Sequence, residues 1–284
     1  MSTSAGVGPP IEVAGRTPVT GAAHTWAAPT PPARRQLTLL FMRLLREQAR
    51  APTTYINLLI SLFFLAVFTG AFGNADAVER LTGASFLTFI LPLTVLTASV
   101  SGSIAGQVLV FDLESGYLRR LLSMPLSRAA IVGAAILLGG TMVLAQATLV
   151  LGLGLLLGAS HASGVLGVVA VLARALLWGL AFAGYSVATG LMAGNAVGAQ
   201  TAVFVFFPLL FLAPTFLPRA ALSGWLRTAS AYNPTTYVLE AMRSLLISGW
   251  QAEPLLAGFG VVGALCVITL AWATFVANRV TSRS

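Results

Sequence analysis

Lysine is absent. All sixteen basic residues of the 284-residue chain are arginines. The phosphate-gripping loop GxxxxGK(S/T) needs a lysine on the phosphates, so the chain has no such loop. Any work driven by ATP must be powered by a separate polypeptide. Carboxylates are scarce too, eight in all, and none falls within a long apolar run. A membrane-embedded protease or transferase needs paired carboxylates, or a nucleophile beside a base, at membrane depth. A proton-coupled carrier relays protons through intramembrane carboxylates or histidines. The gap argues against both classes. The two histidines, His24 and His161, are separated by several apolar runs and form no HExxH motif. The lone cysteine, Cys266, lies inside an apolar run, which excludes an intrachain disulfide and a cysteine metal cluster.

What is present is mostly apolar. The chain is 57% hydrophobic and 8% charged, whereas a soluble domain is about a quarter charged. The apolar residues fall in runs of about 20, the length that lets a helix cross roughly 30 Å of hydrocarbon. These runs have no polar face with which a soluble helix would meet water. The expected fold class is all-α: a polytopic membrane protein with six transmembrane helices, at about 55–72, 86–110, 129–157, 165–192, 201–217 and 255–276. Residues 1–33 are rich in Pro, Gly, Ala, Thr and Ser without apolar periodicity and read as a disordered tail. That stretch lacks the apolar core of a secretory signal. Residues 34–51 read as an amphipathic interfacial helix: Leu37, Leu40, Phe41, Leu44 and Leu45 recur at helical spacing, with Arg43, Arg46, Glu47 and Arg50 on the other side. The transmembrane domain is 52–284, with a polar loop at 73–83, a short loop at 158–164 and a tight turn at 193–200.

Six spans place both termini on one side of the membrane. With that side cytoplasmic, eleven arginines lie inside and four outside, and the sixteenth, Arg174, lies within a span. The positive-inside rule therefore puts both termini in the cytoplasm. Clustering at membrane edges also accounts for the net charge of +8 without a nucleic-acid partner.

Between the second and third spans, residues 111–124 carry Asp112, Glu114, Arg119 and Arg120. Such a segment cannot lie in hydrocarbon and must project into water. Read as one short helix, it has Asp112 and Glu114 near its amino end, where the dipole favours anions, and the two arginines toward the other end. Tyr117, Leu118, Leu121 and Leu122 give it an apolar surface able to sit in a groove. Gly116 permits a tight turn, Pro125 ends the helix and Ser127 is placed to cap the next span. A water-exposed helix bonded at both ends to spans is a handle on which another protein can push.

Residues 218–253 hold a second irregular stretch. Asn233-Pro234 breaks one amphipathic helix and starts another, and Glu240 and Arg243 stand at i, i+3 where they can pair. Irregular backbone at membrane depth is tolerated only where protein or water surrounds it. Two short helices are therefore expected to dip into the outer leaflet and cap a pathway, with Asn233, Pro234, Tyr237, Glu240 and Arg243 at the gate. Arg174 either snorkels outward or makes a structural pair, or else it lines that pathway.

Two motifs, in this order, carry a resemblance. ESGYLRRLLSMPLSR, residues 114–128, resembles the Glu-x-Gly…Arg…Pro-x-Ser segment of type-2 ATP-binding-cassette exporter permeases. YNPTTYVLEAMRSLL, residues 232–246, resembles the Asn-Pro-x-x-Tyr…Glu-x-x-Arg segment that those permeases carry before their last span. The likeness runs from about Arg34 to the end and is nearest to the daunorubicin-resistance type.

The resemblance implies a bacterial cytoplasmic-membrane permease subunit that pairs with a second permease, identical or not. A cytoplasmic ABC ATPase would bind Mg-ATP, so no cofactor is expected in this chain. That ATPase would dock on a coupling helix carried over to 111–124, on Asp112, Glu114, Gly116, Tyr117, Arg119, Arg120, Leu122 and Pro125, with the amphipathic helix assisting. The expected cargo is a hydrophobic or amphipathic drug, antibiotic or lipid. Export of a polysaccharide or glycolipid, and a non-transporting anchor or sensor subunit, are the alternatives.

Overall fold

The computed structural model describes residues 31–72, 76–124 and 126–281, and the tail reading for 1–30 lies outside them. The described residues form helices and no strand. They are α1 Ala33–Arg50, α2 Pro52–Phe72, α3 Asp76–Thr82, α4 Phe86–Thr97, α5 Ser99–Gly102, α6 Ile104–Glu114, α7 Tyr117–Ser123, α8 Arg128–Leu156, α9 Gly164–Ala193, α10 Ala196–Phe211, α11 Gly224–Tyr232, α12 Pro234–Arg243 and α13 Ala252–Thr281. Five segments are long and apolar enough to cross a membrane: α2, α4 through α6 taken together, α8, α9 and α13. The fifth expected span, α10, has only 16 residues, about 24 Å of helix.

The central helix is α9, which packs on α13, α8, α6 and α10. Lipid offers no hydrophobic drive between helices, so close backbone approach has to supply the attraction. Gly106 is an example: a Cβ there would strike the Ser186 carbonyl oxygen. Beside it, the Ser186 hydroxyl donates to the Ser103 carbonyl at 2.8 Å. In the span α4–α6, 78% of the most apolar window is buried, against 11% for α2, which lies at the edge of the bundle.

The α4–α6 span is interrupted at Ala98 and Ser103. Its hydroxyls explain this. Thr97 donates to the Thr94 carbonyl at 2.6 Å and Ser103 to the Val100 carbonyl at 2.7 Å. Back-bonding of this kind competes with the helical backbone ladder and bends the helix.

Several boundaries correct the sequence reading. Residues 73–83 are not simply a loop, since Asp76–Thr82 is helical. The second span does not stop at 110 but runs to Glu114, because a helix continues past the point where its residues turn polar. The fifth span, expected at 201–217, is α10 and lies earlier. Asn195 caps it, its Oδ1 accepting from Gly198 N at 2.8 Å, which pulls the start back to Ala196. Pro214 disfavours helix at the residue before it, so apolar residues 212–217 form a turn instead. The outer stretch holds a 3-10 turn at Arg219–Ala221 and a π turn at Ser244–Ser248 besides its two α-helices.

Candidate functional site: inner latch and outer clamp

At the α1 end of the bundle, α6 closes on a left-handed residue. Gly116 has φ +74°, and its N–H reaches the Leu113 carbonyl at 3.2 Å before α7 begins. This corrects the expected helix of 111–124. Asp112 and Glu114 belong to the carboxy end of α6, not to the amino end of α7. The helix dipole there disfavours a carboxylate, so Asp112 needs a cation, and α1 supplies one. Arg43 stands 3.4 Å from the Asp112 carboxylate and 3.6 Å from that of Glu47, and its guanidinium lies 4.1 Å from the centre of the Tyr117 ring. Asp112 is buried. Arg43, expected on the polar face of α1, thus turns toward the linker.

A second tie lies one helix further on. The Gln36 amide oxygen accepts from the Ser127 backbone N–H at 2.8 Å, and the Gln36 amide N–H donates to the Pro31 carbonyl at 2.8 Å. Ser127 Oγ in turn caps α8 by accepting from Ala130 N at 3.1 Å. Leu118 and Leu121 of α7 pack with Leu44 of α1, Leu109 of α6 and Ile131 of α8. A Cβ on Gly133 would lie 3.1 Å from Leu37, so α1 rests directly on α8. The end of α6, α7, α1 and the start of α8 are therefore one fastened unit. Force applied to α7 reaches two spans and α1 together.

Arg46, Glu47, Arg50, Glu114 and Arg120 are exposed at this end. The side chains of Arg119 and Leu122, and Pro125 itself, lie outside the described residues. Gln36 was not singled out from sequence: an amide on an amphipathic helix gives no signal until its partner's backbone is placed.

At the opposite end, α12 is fixed as a buried plug. Asn233 Oδ1 accepts from Thr235 N at 2.9 Å and its Nδ2 donates to the Leu209 carbonyl of α10. Pro234 occupies the first turn, where a missing N–H costs nothing. Tyr237 donates to the Ala231 carbonyl at 2.6 Å and so holds α11 against α12. Arg243 does not pair with Glu240. It donates Nε to the Phe89 carbonyl at 3.1 Å, Nη1 to the Pro214 carbonyl and Nη2 to the Thr215 carbonyl at 2.6 Å, with its guanidinium 3.6 Å from the centre of the Phe89 ring. One side chain thus ties α12 to α4 and to the turn after α10. Burial pushes the Glu240 carboxyl above its ordinary pKa, and Arg219 and Arg243 oppose the rise.

Arg174 does not snorkel. It is fully buried, donating Nη2 to the Leu255 carbonyl in the first turn of α13 at 3.3 Å, with Phe259's ring centre 4.0 Å away. Its Nε and Nη1 find no acceptor among the described residues.

Residues 35–247 match the family described as ABC-2 type transporter. The daunorubicin resistance ABC transporter permease protein DrrB1 of Streptomyces coeruleorubidus is 32% identical, over 94% of this chain and 92% of its own. A Mycobacterium tuberculosis protein named "Probable doxorubicin resistance ABC transporter permease protein DrrC" is 26% identical, over 82% of this chain and 84% of its own.

Proposed function

The chain belongs to the ABC-2 type transporter family, and from that premise we propose that it is the permease subunit of an ATP-driven exporter of hydrophobic or amphipathic small molecules. It works in the bacterial cytoplasmic membrane with both termini inside, paired with a second permease. A separate cytoplasmic ATPase holds the Mg-ATP and docks on α7 and the exposed side of α1. The relatives' names supply the cargo class, drugs of the daunorubicin and doxorubicin kind.

The observation that carries the reading is the latch of Arg43 on Asp112 and Tyr117. A handle transmits force only if it is fixed to what it moves. The latch, with the Gln36–Ser127 bond, fixes α7 to the ends of α6 and α8. Closure of the ATPase pair would shift this unit as a body, a common switching device, and the α4–α6 span would carry the shift toward the Arg243 clamp.

The test is co-expression with a candidate ABC ATPase from the same genome, followed by reconstitution and measurement of daunorubicin-stimulated ATP hydrolysis. Wild-type complex should be stimulated. Arg43→Ala and Asp112→Asn should keep the ATPase bound, keep basal hydrolysis and lose the stimulation. Absence of any bound ATPase would overturn the reading.

A further inference from the structure

We propose that Gln146 is the movable septum of a two-chambered cargo site between α2, α5 and α8, a deepening that rests on the transport reading above. Gln146 is buried in the middle of α8 and spends its whole amide on neighbouring helices. Its Nε2 donates to the Asn57 carbonyl at 3.0 Å and to the Ser61 hydroxyl of α2, and its Oε1 accepts from the Ser101 hydroxyl of α5. Neutral polar groups at membrane depth must bond one another or a ligand, because an unpaired one is costly there.

Two cavities meet at this amide. One, of about 180 Å³, extends toward α1 and is walled by Gln48, Thr54, Tyr55 and Met142. The other, of about 230 Å³, extends the opposite way between Phe64, Phe68, Phe207 and Phe216. Asn57, Ser101 and Gln146 line both. Each chamber alone is below the roughly 300 Å³ at which drug-sized sites begin, and the two joined exceed it. With the septum drawn aside they form one site running along the bundle. The partner that has to yield is α5, a four-residue segment flanked by the interruptions at Ala98 and Ser103. It can shift without unwinding α4 or α6.

The chemistry of the walls names the ligand. The far chamber offers aromatic faces to a flat apolar body. The septum offers an amide and two hydroxyls, which a ligand edge carrying both a donor and an acceptor can engage in place of their bonds to one another. A purely apolar molecule would leave those groups unpaired, which is expensive when buried. Among the described residues no charged side chain lines either chamber, so the favoured cargo presents a neutral edge at the septum.

The test uses the complex with its ATPase in lipid nanodiscs, without nucleotide, and daunorubicin as the probe. In a Cys266→Ala background, Met142→Cys reports the near chamber and Val100→Cys the far one through their rates of maleimide labelling. One molecule spanning both should slow labelling at both positions with a single midpoint. Gln146→Ala removes the bulk of the septum and leaves the Ser61 and Ser101 hydroxyls and the Asn57 carbonyl to the ligand edge, and should tighten daunorubicin binding about tenfold, whereas Gln146→Leu keeps a side chain between the chambers and should weaken it about tenfold. Protection of one chamber only, two separate midpoints, or unchanged affinity in Gln146→Ala would overturn the septum. The labelling arm leaves Gln146 intact and so stands even if its variants misfold. Daunorubicin that stimulates ATP hydrolysis but shields one chamber sinks the septum and leaves the transport reading standing. Daunorubicin that neither stimulates nor shields removes both.

Discussion

Arg243 and Arg174 both lie buried in the half of the bundle away from α1, and each guanidinium faces a phenylalanine ring, at 3.6 Å and 4.0 Å respectively. Their N–H groups are used differently. Arg243 spends Nε, Nη1 and Nη2 on three carbonyls from two other parts of the chain. Arg174 reaches one carbonyl and leaves Nε and Nη1 without an acceptor among the described residues. A buried polar group is worth little net when paired and costs heavily when left alone. The first arginine is therefore a fastener whose removal strands its acceptors. The second is a cost that one carbonyl and one ring offset only in part.

The largest effect should come from Arg243→Leu, which leaves the Phe89, Pro214 and Thr215 carbonyls without this donor. About 3–5 kcal/mol of stability should be lost, read as a lower unfolding temperature in detergent. Arg243→Lys keeps the charge but not the planar fork, and should recover only part of the loss. Recovery of the whole would make Arg243 a simple charge and dissolve the contrast. A smaller effect is expected at the neighbouring Glu240. Burial raises its folded pKa, so whatever it contributes is full at low pH and lost as pH rises through that raised value. Glu240→Gln should accordingly be more stable than wild type at neutral pH and show a flatter stability profile just above the ordinary carboxylate range. The smallest change should follow Arg174→Leu, within about 1 kcal/mol of wild type or more stable, since it removes unpaired donors from the interior. If transport of daunorubicin fails while stability holds, the spare N–H groups of Arg174 serve the cargo. A large loss of stability would erase the contrast from the other side.

Much of this architecture was legible in the chain. Length and hydropathy located five apolar membrane-crossing segments, and local chemistry located the cap at Ser127 and the helix break at Asn233-Pro234, because those signals involve neighbours in sequence. What stayed hidden depends on partners far along the chain. The i, i+3 spacing of Glu240 and Arg243 suggested a pair, yet three carbonyls brought in by tertiary folding hold Arg243 instead. The carboxylates at 112 and 114 looked like the start of a helix because polarity changes there, whereas the backbone carries on and turns only at Gly116. Gln36 and Gln146 are polar residues among apolar ones, and nothing local distinguishes them from tolerated exceptions until α8 and α2 come alongside.

Gly116 and Gly106 also differ in why they are glycine. A methyl group at 106 would strike the Ser186 backbone, whereas at 116 it would meet nothing within 4 Å. Any L-residue at 116 would still be held in a left-handed conformation, at a cost of roughly 1–2 kcal/mol. Handedness, and not crowding, sets the corner through which α7 leaves α6. Mutagenesis guided by available room alone would misjudge that position as permissive.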